Sequence, residues 1–95
     1  MENSLVEIAE KIKELEIEVL KLENQKEEYI SQSWHNTDFK SILNKRNLTI
    51  RDKEYYIKSQ IEYKNINEQL AVSTAELHFQ RRLFNIFFYE KYNQD

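Results

Sequence analysis

The chain has 95 residues, with 14 Lys or Arg against 17 Asp or Glu for a formal net charge of −3, and it contains no glycine, proline or cysteine. That length suits a single domain, and without glycine or proline the chain lacks the residues of tight β-hairpin turns, of helix breaks and of the phosphate loops and dinucleotide fingerprints in nucleotide-fold enzymes. Without cysteine there is no disulfide framework, thiolate nucleophile or thiolate zinc site.

The start carries no basic segment followed by an apolar run, and no apolar stretch reaches the roughly 18 residues of a membrane span. The expectation is a soluble, cytoplasmic protein with no membrane contact. The fold expected over residues 1–95 is a single all-α domain: a long antiparallel helical hairpin with a short connecting helix, coiled-coil-like, completed as a dimeric helical bundle.

Ser4 followed by Glu7 has the spacing of a capping box, in which the hydroxyl accepts from the third helical N–H and the carboxylate reaches back. Helix 1 is predicted from there, over about residues 4–32. Leu5, Ile8, Ile12, Leu15, Val19 and Leu22 recur at alternating steps of three and four, and Lys26 and Tyr29 continue the phase as a coiled-coil seam. Val6, Ala9, Ile17, Leu20 and Ile30 widen the apolar surface beyond that stripe, which suits a bundle with more than one neighbour.

Over about residues 33–48 the phase is lost and polar residues gather, which predicts the connection. Phe39, Ile42 and Leu43 keep helical spacing inside it, so Asn36 or Thr37 is expected to cap a short helix running to about Asn47. Trp34 and Phe39 are expected to plug the turn end of the hairpin.

Thr49 with Asp52 forms a second capping-box pattern and predicts a helix over about residues 50–92. Its inner face reads Tyr56, Tyr63, Ile66, Leu70, Ser73 and Leu77, flanked by Ile57, Ile61, Val72 and Ala75, with any bend expected at Ala71 to Thr74. The last turns are the least ordinary part of the chain. Phe79, Leu83, Phe84, Ile86, Phe87, Phe88, Tyr89 and Tyr92 point all around the helix axis at 100° per residue, and a helix that is apolar all round needs more than one neighbour. Two arrangements satisfy this: a homodimer in which each C-terminal segment packs on the other chain, or a kink that returns the segment onto its own hairpin. The interface residues predicted here are Phe79, Arg81, Arg82, Leu83, Phe84, Phe87, Phe88 and Tyr92, a mixture of aromatic, leucine and arginine side chains of the kind interfaces favour.

A search for chemistry yields no catalytic residues, no metal ligands and no cofactor. The two histidines, His35 and His78, are far apart, and neither belongs to a His-x-x-x-His frame. Nine glutamates precede residue 35, but they lack the inward Glu-x-x-His of carboxylate di-metal bundles and fall mostly outside the seam. Residues 35–53 carry five basic and two acidic groups, and Lys40, Lys45, Arg46, Arg51 and Lys53 beside Trp34 and Phe39 could track a phosphate backbone. The sequence therefore points first to a non-enzymatic protein-binding module, expected to be a homodimer that docks on a larger protein as a regulator or inhibitor. Nucleic-acid binding through the basic connector is the alternative. Richness in Lys, Asn, Ile and Tyr fits an AT-rich bacterial or phage genome.

A helical hairpin of this size with Trp34-His35-Asn36 near its turn resembles the Trp-x-Gly (WXG) family of small type VII secretion substrates. That resemblance implies a secreted helical hairpin. Asn36 stands where the family has glycine, and Tyr89 is followed four residues later by Asn93 rather than by the acid of the family's C-terminal signal.

Overall fold

Helix-forming residues without an interrupting glycine or proline produce four helices among the described residues, and the breaks between them come from side chains that compete for backbone hydrogen bonds. A computed structural model describes residues 2–45 and 47–92, apart from the side chains of Glu2, Asn3 and Tyr92. Helix α1 spans Glu2–Asn36, α2 Phe39–Leu43, α3 Ile50–Ser59 and α4 Ile61–Tyr92, and the described residues contain no strand. Helices α1 and α4 lie along each other as a hairpin. The pairing of Glu16 with Arg81 and of Lys26 with Tyr63 makes them antiparallel. The molecule is a rod of 71 × 17 × 16 Å.

The seam lies where the heptad phase puts it. Every seam residue from Leu5 to Tyr29 is buried or half-buried, as are Tyr56, Tyr63, Ile66, Leu70, Ser73 and Leu77 on the facing side. Leu22, Tyr63 and Leu77 are buried along the hairpin, while Phe39 and Ile57 form the core of its closed end. Lys26 is tolerated in the seam because its stem lies along apolar surface and its ammonium stands 5.7 Å over the Tyr63 ring.

The boundaries of α1 and α2 differ from the sequence expectation. Helix α1 already runs through Ser4 and continues to Asn36, so Trp34, His35 and Asn36 belong to its last turns and not to the connection. Their polar neighbours lack any residue that stops a helix, and polarity alone does not end one. Helix α2 is capped by Asp38, not by Asn36 or Thr37: its carboxylate accepts from the Ser41 N–H at 3.4 Å and from the Ser41 hydroxyl at 2.8 Å. It ends at Leu43 because Asn44 turns left-handed (φ 50°), and the Asn44 N–H closes the last turn on the Lys40 carbonyl at 3.0 Å.

The predicted 50–92 helix is two helices joined at Gln60, whose ψ of 144° is extended. There the Ser59 hydroxyl and the Gln60 side-chain amide both donate to the Tyr56 carbonyl, at 2.6 and 3.1 Å. Those donors take the place of the backbone N–H that would continue α3. The Gln60 carbonyl then accepts from the Lys64 N–H at 3.1 Å and starts α4. Ala71 to Thr74, where a bend was expected, is unbroken helix, because Ser73 and Thr74 sit half-buried along α1 without disturbing the ladder.

The capping box of α3 forms as predicted: the Asp52 N–H donates to the Thr49 hydroxyl at 3.1 Å, and the Thr49 N–H donates to the Asp52 carboxylate at 3.2 Å. The Thr49 backbone N–H, followed by its hydroxyl, holds the Asp52 carboxyl below the usual carboxylate range. A depressed folded value means the contribution is present above the ordinary pKa of 3.8 and is lost as pH falls through the folded value. Thr49→Ala should therefore lower stability by about 1 kcal/mol at neutral pH, and Asp52→Asn should abolish the part of the acid-induced loss that this cap causes. Urea denaturation across the acid range checks both.

Candidate interaction surface

Seen along its axis, α4 carries two stripes of heptad spacing. One is the seam against α1. The other runs along the opposite face through Ile61, Val72, Ala75, Phe79 and Ile86, with Asn65, Glu68 and Arg82 filling the remaining a and d positions. All eight of these residues are exposed, the large apolar ones heavily so: Val72 is 66% and Phe79 51% accessible. This is the physical content of a helix that is apolar all round, since α1 covers only one side. Beside the stripe a shallow groove of about 350 Å³ is lined by Glu18, Asn65, Glu68, Gln69, Val72 and Ser73, which gives the apolar face a polar edge.

The predicted interface residues separate into three groups. Leu83 and Phe84 are half-buried and close the open end of the hairpin, with Phe88 stacked on Phe84 at a centroid distance of 6.0 Å. Arg81 is engaged within the chain, its guanidinium 3.1 Å from the Glu16 carboxylate. Both partners are about half exposed, so the pair fixes register more than it stabilises. Phe79 and Arg82 belong to the outer stripe, and Phe87 and Phe88 stay exposed at the open end together with Ile86 and Tyr89. The Tyr92 side chain lies outside the described residues.

The segment does not fold back: α4 continues as one helix to Tyr92, so a return onto its own hairpin is not how these rings are accommodated. By the inner heptad phase alone, Ile61, Val72 and Ala75 are flanks of the inner face. The steps of four and three from residue 61 to residue 86 were the signal that they form a line of their own.

The basic connector is less available than its charge suggests. Lys53 is half-buried, with its ammonium 5.7 Å from the Trp34 ring centre and 5.6 Å from that of Phe39. Lys40 and Lys45 are exposed. Arg51 is exposed in the first turn of α3, and Arg46 lies outside the described residues. Of the four described cations of the connector, Lys40, Lys45 and Arg51 are therefore exposed and Lys53 is half-buried. His35 and His78 are both exposed, and among the described residues no group of three or more His, Asp or Glu side chains is gathered. No helix among the described residues is long and apolar enough to cross a membrane.

Compared with known proteins, the chain matches no family model, no curated protein and no solved structure. The likeness to the WXG family rests on a helical hairpin of this size and on Trp34-His35-Asn36, and in the fold these three residues belong to the last turns of α1.

Proposed function

We propose that this chain is a non-enzymatic helical binding module that acts by occupancy, docking on a larger protein as a bacterial or phage regulator or inhibitor. The observation that carries this reading is the outer and terminal surface of α4, where Phe79, Ile86, Phe87, Phe88 and Tyr89 all remain exposed on one short stretch of helix. Aromatic side chains in solvent at this density are what an interface supplies and a lone hairpin does not need. Arg82 among them adds a cation suited to stacking or to pairing with a carboxylate. The half-buried position of Lys53 against the Trp34 and Phe39 rings supports the protein-binding reading over the nucleic-acid one.

The test is capture from a lysate of the source organism with wild type and Phe87→Glu. Phe87 is exposed but continues the inner phase of α4 through Leu77, Gln80 and Phe84, so the variant is used once its helical circular dichroism and unfolding midpoint match those of wild type. Truncating or charging a central interface aromatic costs about 2 kcal/mol or more, so retention of the partner should fall at least ~10-fold. Equal retention by the two proteins would remove the terminal aromatics as the docking surface.

A further inference from the structure

We propose that the outer stripe of α4 is a self-complementary seam that takes a second copy of this chain in antiparallel orientation, with its two-fold axis between Ser73 and Thr74. The inference rests on the reading of α4 as an interface, but it assigns the outer stripe to one occupant and leaves the terminal Phe87 region to the larger protein.

The orientation follows from charge. In a parallel in-register pair each stripe residue meets its own copy, which sets Glu68 against Glu68 and Arg82 against Arg82 in the centre of the contact. In the antiparallel pair, a positions meet d positions, and the stripe residues match about an axis between 73 and 74. Ile61 then meets the partner's Ile86, Val72 meets the partner's Ala75, and Asn65 meets the partner's Arg82. Glu68 meets the partner's Phe79, and that Phe79 is only three residues, about 4.5 Å of rise, from the partner's Arg82. The guanidinium therefore lies between the Asn65 carbonyl oxygen and the Glu68 carboxylate, which together satisfy its donors.

By symmetry the same bridge forms twice. The flanking positions add no like-charge pair: Gln69 faces the partner's Glu76, Lys64 the partner's Asn85, and Ala71 the partner's His78. Ala75 and Val72, the smaller apolar residues of the stripe, fall next to the axis, where two helices approach most closely, and the larger Ile and Phe side chains fall toward the ends. The assembly has α4 and its copy in the middle and the two α1 helices outside. Its contact is one helix face, fewer residues than the 20 to 30 a side of a standard interface, which places the dimer at the weak end of specific association, on the order of micromolar.

The experiment is analytical ultracentrifugation of the full chain from micromolar to hundred-micromolar concentration, with charge-swap variants, joined to spin-label distances. Mass should double across that range. Glu68→Arg alone and Arg82→Glu alone each place two like-charge pairs in the seam, so each should weaken the dimer about 10-fold or more. The double variant Glu68→Arg with Arg82→Glu should return to within about 3-fold of wild type.

The chain has no cysteine, so single labels are clean. At 1.5 Å of rise per residue on either side of the axis, labels at Ala71→Cys are separated by about 7.5 Å along the helices and labels at Glu90→Cys by about 50 Å, so with roughly 10 Å between helix axes the first pair should lie within about 20 Å and the second about 50 Å apart. A monomer at every concentration, a short distance at position 90, or a double swap no better than the single changes would each overturn the proposal. Residue 87 lies off the stripe, so a monomer that still captures its partner through Phe87 would sink the dimer alone. A dimer whose capture ignores Phe87→Glu would sink the docking reading alone.

Discussion

Ile57→Ala should lower the unfolding free energy by about 3 kcal/mol, whereas Ile61→Ala, four residues later, should change it by no more than about 0.5 kcal/mol. Nothing in the local sequence separates these two isoleucines, since both flank the inner face of the predicted second helix. The structure separates them completely. Ile57 is 1% exposed and is enclosed where α3 meets α1 and α4, while Ile61 is 73% exposed and opens the outer stripe.

The cause is the extended residue at Gln60, which breaks the helical phase so that the face α3 presents inward is not the continuation of the face α4 presents. An alanine at position 57 leaves a cavity that a short, tightly held helix cannot close, and the range for such truncations is roughly 2 to 5 kcal/mol. A chain of this length has about 5 to 14 kcal/mol in total, so the loss is a substantial fraction of it. Ile57→Val should cost only about 1 kcal/mol. Urea denaturation of the three variants measures the effect, and equal midpoints for Ile57→Ala and Ile61→Ala would mean that α3 and α4 are one uninterrupted helix in solution.

The same break shows where the sequence was legible and where it was not. The seam of α1 and the inner face from Tyr63 to Leu77 were readable because a heptad phase repeated over many turns leaves no second solution. The capping box at Thr49 was readable for a similar reason: two side chains three residues apart satisfy each other's backbone donors, and the pair is local.

The interruption at Gln60 was not readable, because Ser and Gln are tolerated inside helices and end one only when both reach back to the same carbonyl, here that of Tyr56. Asp38 took the capping role from Thr37 because its carboxylate reaches both the N–H and the hydroxyl of Ser41. Of the surface, the exposed rings at the end of α4 followed from the all-round pattern. The engagement of Arg81 by Glu16 did not, since it depends on how α1 and α4 slide along each other. The charge of the connector was legible in the sequence, but the place of Lys53 over the Trp34 and Phe39 rings was not, since it depends on how α1, α2 and α3 meet.

Phe39→Ala should open the closed end of the hairpin, with a loss of about 3 to 4 kcal/mol and a red shift of Trp34 emission. Phe39 is 7% exposed and is held from two sides, its ring centre 5.9 Å from that of Trp34 on α1 and 5.9 Å, edge-on, from that of Tyr56 on α3. The ammonium of Lys53 covers the Trp34 and Phe39 rings together. Three helices thus share one side chain, contributed by an α2 of only five residues that has little stability of its own.

Trp34 is the chain's single tryptophan, so its emission reports this cluster and nothing else. Phe39→Leu keeps most of the buried volume and should recover most of the stability, but not the ring contacts with Trp34 and Tyr56. Loss at this end should also loosen the register of α1 against α4. Midway along the rod Arg81 and Glu16 favour that register, but a half-exposed pair contributing roughly 0 to 1 kcal/mol cannot alone hold two long helices in place. If Phe39→Ala left both the emission and the unfolding midpoint unchanged, the alignment of the rod would have to come from the seam alone.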